Sequence, residues 1–151
     1  MKWITREHAK VDGIACPWLI KKFIDENAEF LFVPSNKVLE IMTKENAIPF
    51  DIPNVELGHY DGECSFDAII KKYDLCVKNP ELFELANIIR GADTDKRQLT
   101  LQSMGLATIA AGFSLISKDD YDNMAKQFPI YDALYAFVKS NKKDKLLTSR
   151  H

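Results

Sequence analysis

The chain opens on a short apolar and β-branched segment, residues 2–5, that reads as a first strand. A polar connection over residues 6–13 leads to a helix expected to start near Pro17, because proline lacks an N–H and its φ already suits a first helical turn. Trp18, Leu19, Ile20, Phe23 and Ile24 then share an apolar face, with Lys21, Lys22, Asp25 and Glu26 opposite, at helical period. Glu29–Val33, apolar after its first residue and stopped by Pro34, reads as a buried-type strand. The opening is therefore β-α-β, with a connection long enough to make the two strands parallel.

Beyond it the period stays mostly helical. Ser35 or Asn36 can cap a helix striped by Val38, Leu39, Ile41 and Met42. Residues 47–57 contain Pro49 and Pro53 and read as irregular chain with short edge strands around Phe50 and over residues 55–57. A glycine-bounded loop, residues 58–64, precedes a helix capped by Ser65 that carries Phe66, Ile69, Ile70 and Tyr73. Asn79-Pro80-Glu81 marks another start, with Leu82, Leu85, Ala86, Ile88 and Ile89 inward and an end at Gly91. A polar linker over 94–98, a mostly apolar helix over 104–116, a helix from Asp119 or Asp120 and a last one over 129–138 complete the pattern. The expectation is an α+β fold: a small N-terminal β-α-β sheet covered by a predominantly helical C-terminal two-thirds. One domain over residues 1–138 and a basic, flexible tail over 139–151 follow from it.

Composition narrows the function. A hydrophobic fraction of 46% and a charged fraction of 28% in 151 residues describe an ordinary globular domain, neither fibrous nor disordered. Twenty Lys plus Arg against 22 Asp plus Glu leave a net charge of -2, so no global field favours nucleic acid or an anionic membrane. No apolar run reaches the ~20 residues that cross a bilayer. The start of the chain turns charged almost at once, unlike an export signal, and three cysteines are an odd number; both point to reduced thiols in the cytoplasm.

Two groups of polar residues sit beside structure breakers: Arg6, His8, Asp12 and Cys16 before and in the first helix, and Asp51, His59, Asp61, Glu63 and Cys64 around the glycine-bounded loop. Cys16, placed at or beside an N-cap by Pro17, would feel unpaired N–H groups and the positive end of a helix dipole, which favour thiolate. Its apolar neighbours fit an inert core cysteine equally well. His59 and Cys64 in one loop can both ligate Zn²⁺ or another borderline ion, with Asp12, Asp51, His8 or Cys16 completing the set. Alternatively Cys16 is a nucleophile, His59 moves a proton and Arg6 holds an anion. Cys76 reads as structural, and Arg90 with Asp93 as a local pair at a helix end.

Taken together, Trp3-Ile4-Thr5-Arg6, Asp12, Ala15-Cys16-Pro17-Trp18-Leu19-Ile20, Pro49-Phe50-Asp51, Gly58-His59, Cys64-Ser65-Phe66, Arg90-Gly91-Ala92-Asp93 and Tyr131-Asp132-Ala133-Leu134-Tyr135 resemble the chromate-resistance protein family, in consistent order from Trp3 to Phe137. That domain occurs alone or as the carboxyl-terminal part of chromate-responsive regulators. Where the family pattern usually has arginine after the motif aspartate, this chain has Gly13, one cation fewer. The resemblance implies a cytoplasmic protein that senses, regulates or handles chromate. With no helix-turn-helix signature, direct nucleic-acid binding is not expected. The density of soft and borderline ligands in the matched motifs points to a transition metal, Zn or Fe, or a metal oxyanion, held by Cys16, His59 and Cys64 with Asp12 and Asp51, while Arg6 and Arg90 attract a dianion. The alternatives are a thiol- or metal-dependent oxidoreductase or hydrolase using Cys16 and His59, or a regulatory interaction domain without catalysis. Self-association into a homo-oligomer is left open.

Overall fold

The computed structural model describes residues 1–94 and 100–148, with side chains through Asn141. β1 (Lys2–Arg6) lies at the centre of a three-stranded sheet, paired in parallel with β2 (Glu29–Val33) on one side and β3 (Ile48–Pro49) on the other. Trp3 stands opposite Phe30 and Ile48. Because side chains alternate across a strand, the sheet feeds two cores. Trp3, Phe30 and Phe50 face the main core with α1 (Asp12–Phe23), while Ile4 faces a smaller one made by Val38 and Ala47 with Leu31 and Ile41 of β2 and α2 (Val38–Glu45). The fold is α+β, as the period predicts, and the β1–α1–β2 unit is parallel.

Several local boundaries differ from the expectation, each for a physical reason. α1 begins at Asp12, not near Pro17, so Cys16 is an interior helical residue and its thiol does not sit at an N-cap. The early start is capped from a distance: the Asp12 N–H donates to Asp93 Oδ1 at 3.0 Å, across 81 positions of sequence. Pro17 inside the helix removes the donor for the Gly13 carbonyl. A 3-10 turn, Ser35–Lys37, rather than a Ser or Asn cap, leads into α2, and Leu39 of its expected stripe is 64% exposed. Residues 55–57 form turns instead of an edge strand, since the Leu57 carbonyl turns back to accept from Asp51 N at 3.1 Å.

α3 (Ser65–Lys72) is capped by Cys64, one residue before the expected Ser65; its own N–H donates to Asp67 Oδ2 at 3.0 Å. A short α4 (Leu75–Lys78) follows, and α5 (Leu82–Asp93) starts after Asn79 and Pro80 and runs past Gly91. Its predicted face, Leu82, Leu85, Ala86, Ile88 and Ile89, is buried. The linker predicted over 94–98 lies, apart from Thr94, outside the described residues. α6 (Leu101–Ile116) is capped by Thr100, whose Oγ1 accepts from Ser103 N at 3.0 Å. Where the sequence predicts two helices from Asp119 onward there is one, α7 (Asp120–Thr148), with Pro129 inside it. Packing overrides the proline. Tyr131, Tyr135 and Val138 are buried along α1, and Trp18 Nε1 donates to Asp132 Oδ1 at 2.9 Å. The helix continues beyond residue 138 into the basic segment, and residues 149–151 lie outside the described ones.

Candidate functional site

β1 and β3 run parallel, so the segments that leave them, the connection toward α1 and the loop that follows Pro49, emerge at the same edge of the sheet. Such carboxyl edges form ready-made crevices. The polar connection after β1 is pinned there by α7: Asp120 accepts from His8 N at 3.0 Å and from Ala9 N at 2.7 Å. Asp12 then opens α1. After β3, Asp51 adopts φ 52, a left-handed conformation that aspartate tolerates better than most residues. The loop folds back through Asp51 N to Leu57 O and Gly58 N to Val55 O, which returns His59 over Asp51. Gly58 is required, because a Cβ there would stand 2.7 Å from the Ile52 carbonyl oxygen. Asp93, the last residue of α5, completes the ring.

The four groups converge. His59 Nε2 lies 2.9 Å from Asp51 Oδ1 and 3.5 Å from both Asp12 Oδ2 and Asp93 Oδ2. One ligand atom from each of Asp12, Asp51, His59 and Asp93 fits within 4.8 Å of all the others. Asp12 is fully buried, Asp51 and Asp93 are nearly so, and the His59 side chain is 41% exposed. The ring therefore opens on its imidazole side, into a cleft of about 380 Å³ with Arg6, His8 and Lys10 in its walls.

This is an electrostatically costly arrangement. Burial, then the Asp93 and Asp51 charges, hold the Asp12 carboxyl well above the usual range, although Ser65 N donates to its Oδ2 at 2.7 Å. Burial and Asp51 raise Asp93 as well. The Asp51 hydrogen bond raises His59 against the opposing effect of its own partial burial. One buried oxygen, Asp12 Oδ1, has no hydrogen-bond partner. A cation in the ring would answer the repulsion, and three carboxylates with one imidazole form a donor set that metals of the Mn, Fe and Zn kind accept.

Of the residues singled out from sequence, Asp12, Asp51 and His59 meet here. Cys16 and Cys64 do not belong to this ring. Cys16 is fully buried, and burial pushes its thiol well up, away from thiolate. Cys64 is equally buried, its Sγ 3.3 Å from Asp67 Oδ2, and burial likewise pushes it up. Arg90 donates to Asp67 Oδ1 at 2.8 Å and also to Asn87, so its guanidinium is already engaged. Arg6 stays at the cleft wall. His8 is exposed, 3.6 Å from Glu7; Asp61 and Glu63 are not among the four converging groups, and Glu63 is bonded to Lys71; Cys76 packs against the core.

Asp93 is the ring member that sequence reasoning assigned to a local contact. One signal pointed to it: a carboxylate in the last turn of a helix faces the negative end of the dipole, the wrong end for its charge, and so needs another partner.

A family model described as "ChrB, C-terminal domain" matches residues 3–138. Protein ChrB of Cupriavidus metallidurans is 26% identical over 142 residues, which are 94% of this chain and 42% of that protein. The chain thus spans less than half the length of this curated relative. No solved structure matches.

Proposed function

This chain belongs to the family of ChrB C-terminal domains, and from that premise we propose that it is a chromate-resistance domain that binds one divalent transition-metal cation through Asp12, Asp51, His59 and Asp93. The observation that carries the reading is the Asp12 carboxylate: fully buried, raised by burial and by two neighbouring carboxylates, and with Oδ1 unpartnered. A buried carboxyl of this kind either keeps its proton or exchanges it for a coordinated cation. The donor set is oxygen and imidazole nitrogen; Cys16 and Cys64 keep their protons and pack.

The same charges argue for a cation over an oxyanion. A chromate-like dianion in the ring would meet three carboxylates, with Arg90 already held by Asp67 and Arg6, among the described residues, the one arginine on the cleft. Cation binding would tie the start of α1, the loop after β3 and the end of α5 together. A domain whose three segments are drawn in by a metal suits sensing or regulation in chromate resistance, and its partly exposed imidazole leaves a side from which the ion can enter. None of the three cysteines is in a disulfide, which fits a reducing cytoplasm.

Calorimetric titration of the chelator-treated protein with Mn²⁺, Fe²⁺, Co²⁺ and Zn²⁺ in turn tests this. One equivalent of at least one ion is expected to bind, with binding lost in His59→Ala and Asp51→Asn and kept in Cys16→Ala. Absence of binding by all four ions, or binding untouched by His59→Ala, would overturn the reading.

A further inference from the structure

α6 carries no charge on any side. Its sixteen residues, LQSMGLATIAAGFSLI, contain no charged side chain, yet only Ser103, Leu106 and Ala110 are buried. Helices of that composition are ordinarily enclosed on every side. Here the inward half packs on α5 and α7, and the outward half carries Leu101 at 97%, Met104 at 57%, Ile109 at 43%, Leu115 at 87% and Ile116 at 66% exposure.

We infer that this outward face of α6 is a self-association surface, on which a second copy of the chain lays its own α6 antiparallel about a two-fold axis. Three features select a second copy as the occupant. The first is charge: a patch without charged groups meets itself with no like-charge repulsion, the condition an isologous interface imposes. The second is shape. Gly105 and Gly112 lie seven positions apart on the middle of the face, and among the described residues nothing stands within 4 Å of where a Cβ would be on either. A two-fold axis through the helix midpoint, beside Thr108 and Ile109, pairs Gly105 of one copy with Gly112 of the other and Leu101 with Ile116, so that small meets small and the backbones approach closely. The third is area. The five large side chains offer on the order of 600 Å² per copy, close to the roughly 800 Å² per partner of a standard interface, which a modest rim completes. Thr108, near the centre of this face, has its hydroxyl bonded within the helix, to Met104 O at 3.0 Å, so it can be covered at little cost; Gln102 is exposed at the rim.

Sedimentation velocity of the full chain from about 1 to 100 µM tests the proposal, that range bracketing Kd values of micromolar to sub-millimolar order. A species of twice the 17.2 kDa chain mass is expected. Thr108→Glu and Thr108→Lys each place like charges face to face beside the axis and should weaken the dimer by about 10-fold or more, the factor equivalent to 1.4 kcal/mol. An equimolar mixture of the two variants should recover association to near the wild-type level, because the facing charges then attract. Circular dichroism and the thermal midpoint confirm folding of each variant, the substituted side chain being exposed. A wild-type chain that stays monomeric throughout, a dimer indifferent to Thr108→Glu, or a mixture that associates no better than either variant alone overturns the inference; so does a monomer whose α6 face is occupied by a different polypeptide.

Discussion

Asp12 concentrates the energetics of the candidate site in one carboxyl group. It belongs to a helix start that needs an acid in its first turn, yet it is buried among Asp51 and Asp93. Replacing it by asparagine keeps an oxygen for Ser65 N and removes the charge. Asp12→Asn is therefore expected to stabilise the metal-free protein by about 1–3 kcal/mol at neutral pH, within the range seen when buried ionic groups are neutralised, while weakening cation binding beyond the roughly 10–100-fold typical of outer-shell partners. Chemical denaturation with chelator present measures the first, calorimetry the second. The titration directions add a further expectation. Asp12, Asp93 and His59 are all raised by folding, so their contribution is complete below the unfolded values of 3.8 for the carboxyls and 6.5 for the imidazole and is lost as pH rises through the raised folded values. The lowered carboxyls, Asp25, Glu45 and Asp122, act in the opposite sense but are exposed surface pairs of little weight. Metal-free protein should consequently melt higher at about pH 5 than at about pH 8, and a bound divalent cation should abolish or reverse that trend. A midpoint that falls steadily toward acid without metal would contradict it. At this scale the sequence disclosed Asp12, Asp51 and His59, because each stands beside a glycine, a proline or a strand end. Asp93 carried a weaker signal, an acid at the unfavourable end of a helix dipole, and its place in the ring follows only from what it meets.

Among the elements, those defined by local chemistry match the pattern along the chain. β2 has the bounds that its apolar run and Pro34 dictate, and the predicted face of α5 is the buried one. Elements whose ends are held by remote groups do not. Pro17 marks a first turn by every local rule, but α1 starts five residues earlier because Asp93 supplies its cap from α5. Cys16 thereby moves from a reactive helix start to an inert interior position, and the thiol chemistry that depended on the cap goes with it. The loop after β3 carries the element-scale prediction. Gly58→Ala forces a Cβ against the Ile52 carbonyl at 2.7 Å, so the turn must open and His59 must leave Asp51. A loss of about 1–3 kcal/mol, the usual range for overpacking, is expected together with a drop in cation affinity, whereas Gly105→Ala, in open space on α6, should leave cation affinity unchanged. Comparing the two variants by thermal melting and metal titration checks this.

In the whole molecule the site exists because distant parts are tied together. Asp120, in the first turn of α7, holds the amides of His8 and Ala9 across more than a hundred positions of sequence. Asp120→Ala leaves two amides short of an acceptor and is expected to cost about 1–3 kcal/mol, a fall in thermal midpoint of roughly 2–4 °C per kcal/mol for a chain of this size. It should also weaken cation binding, although Asp120 is not a ligand, by loosening the segment that leads to Asp12; a variant that melts lower but binds the ion unchanged would show the two to be independent. No helix among the described residues is long and apolar enough to cross a membrane. The sequence by itself determined the α+β class, the parallel β-α-β opening, the buried face of α5 and the family, since periodicity and motif order are properties of neighbouring residues. Only the tertiary structure decided where α1 begins, that α7 passes through Pro129, that Cys16 and Cys64 are packed while Asp93 joins Asp12, Asp51 and His59, and which half of α6 faces outward. Caps, buried charges and exposed faces are set by groups far apart in the chain, and their energies exceed the local preferences that a sequence displays.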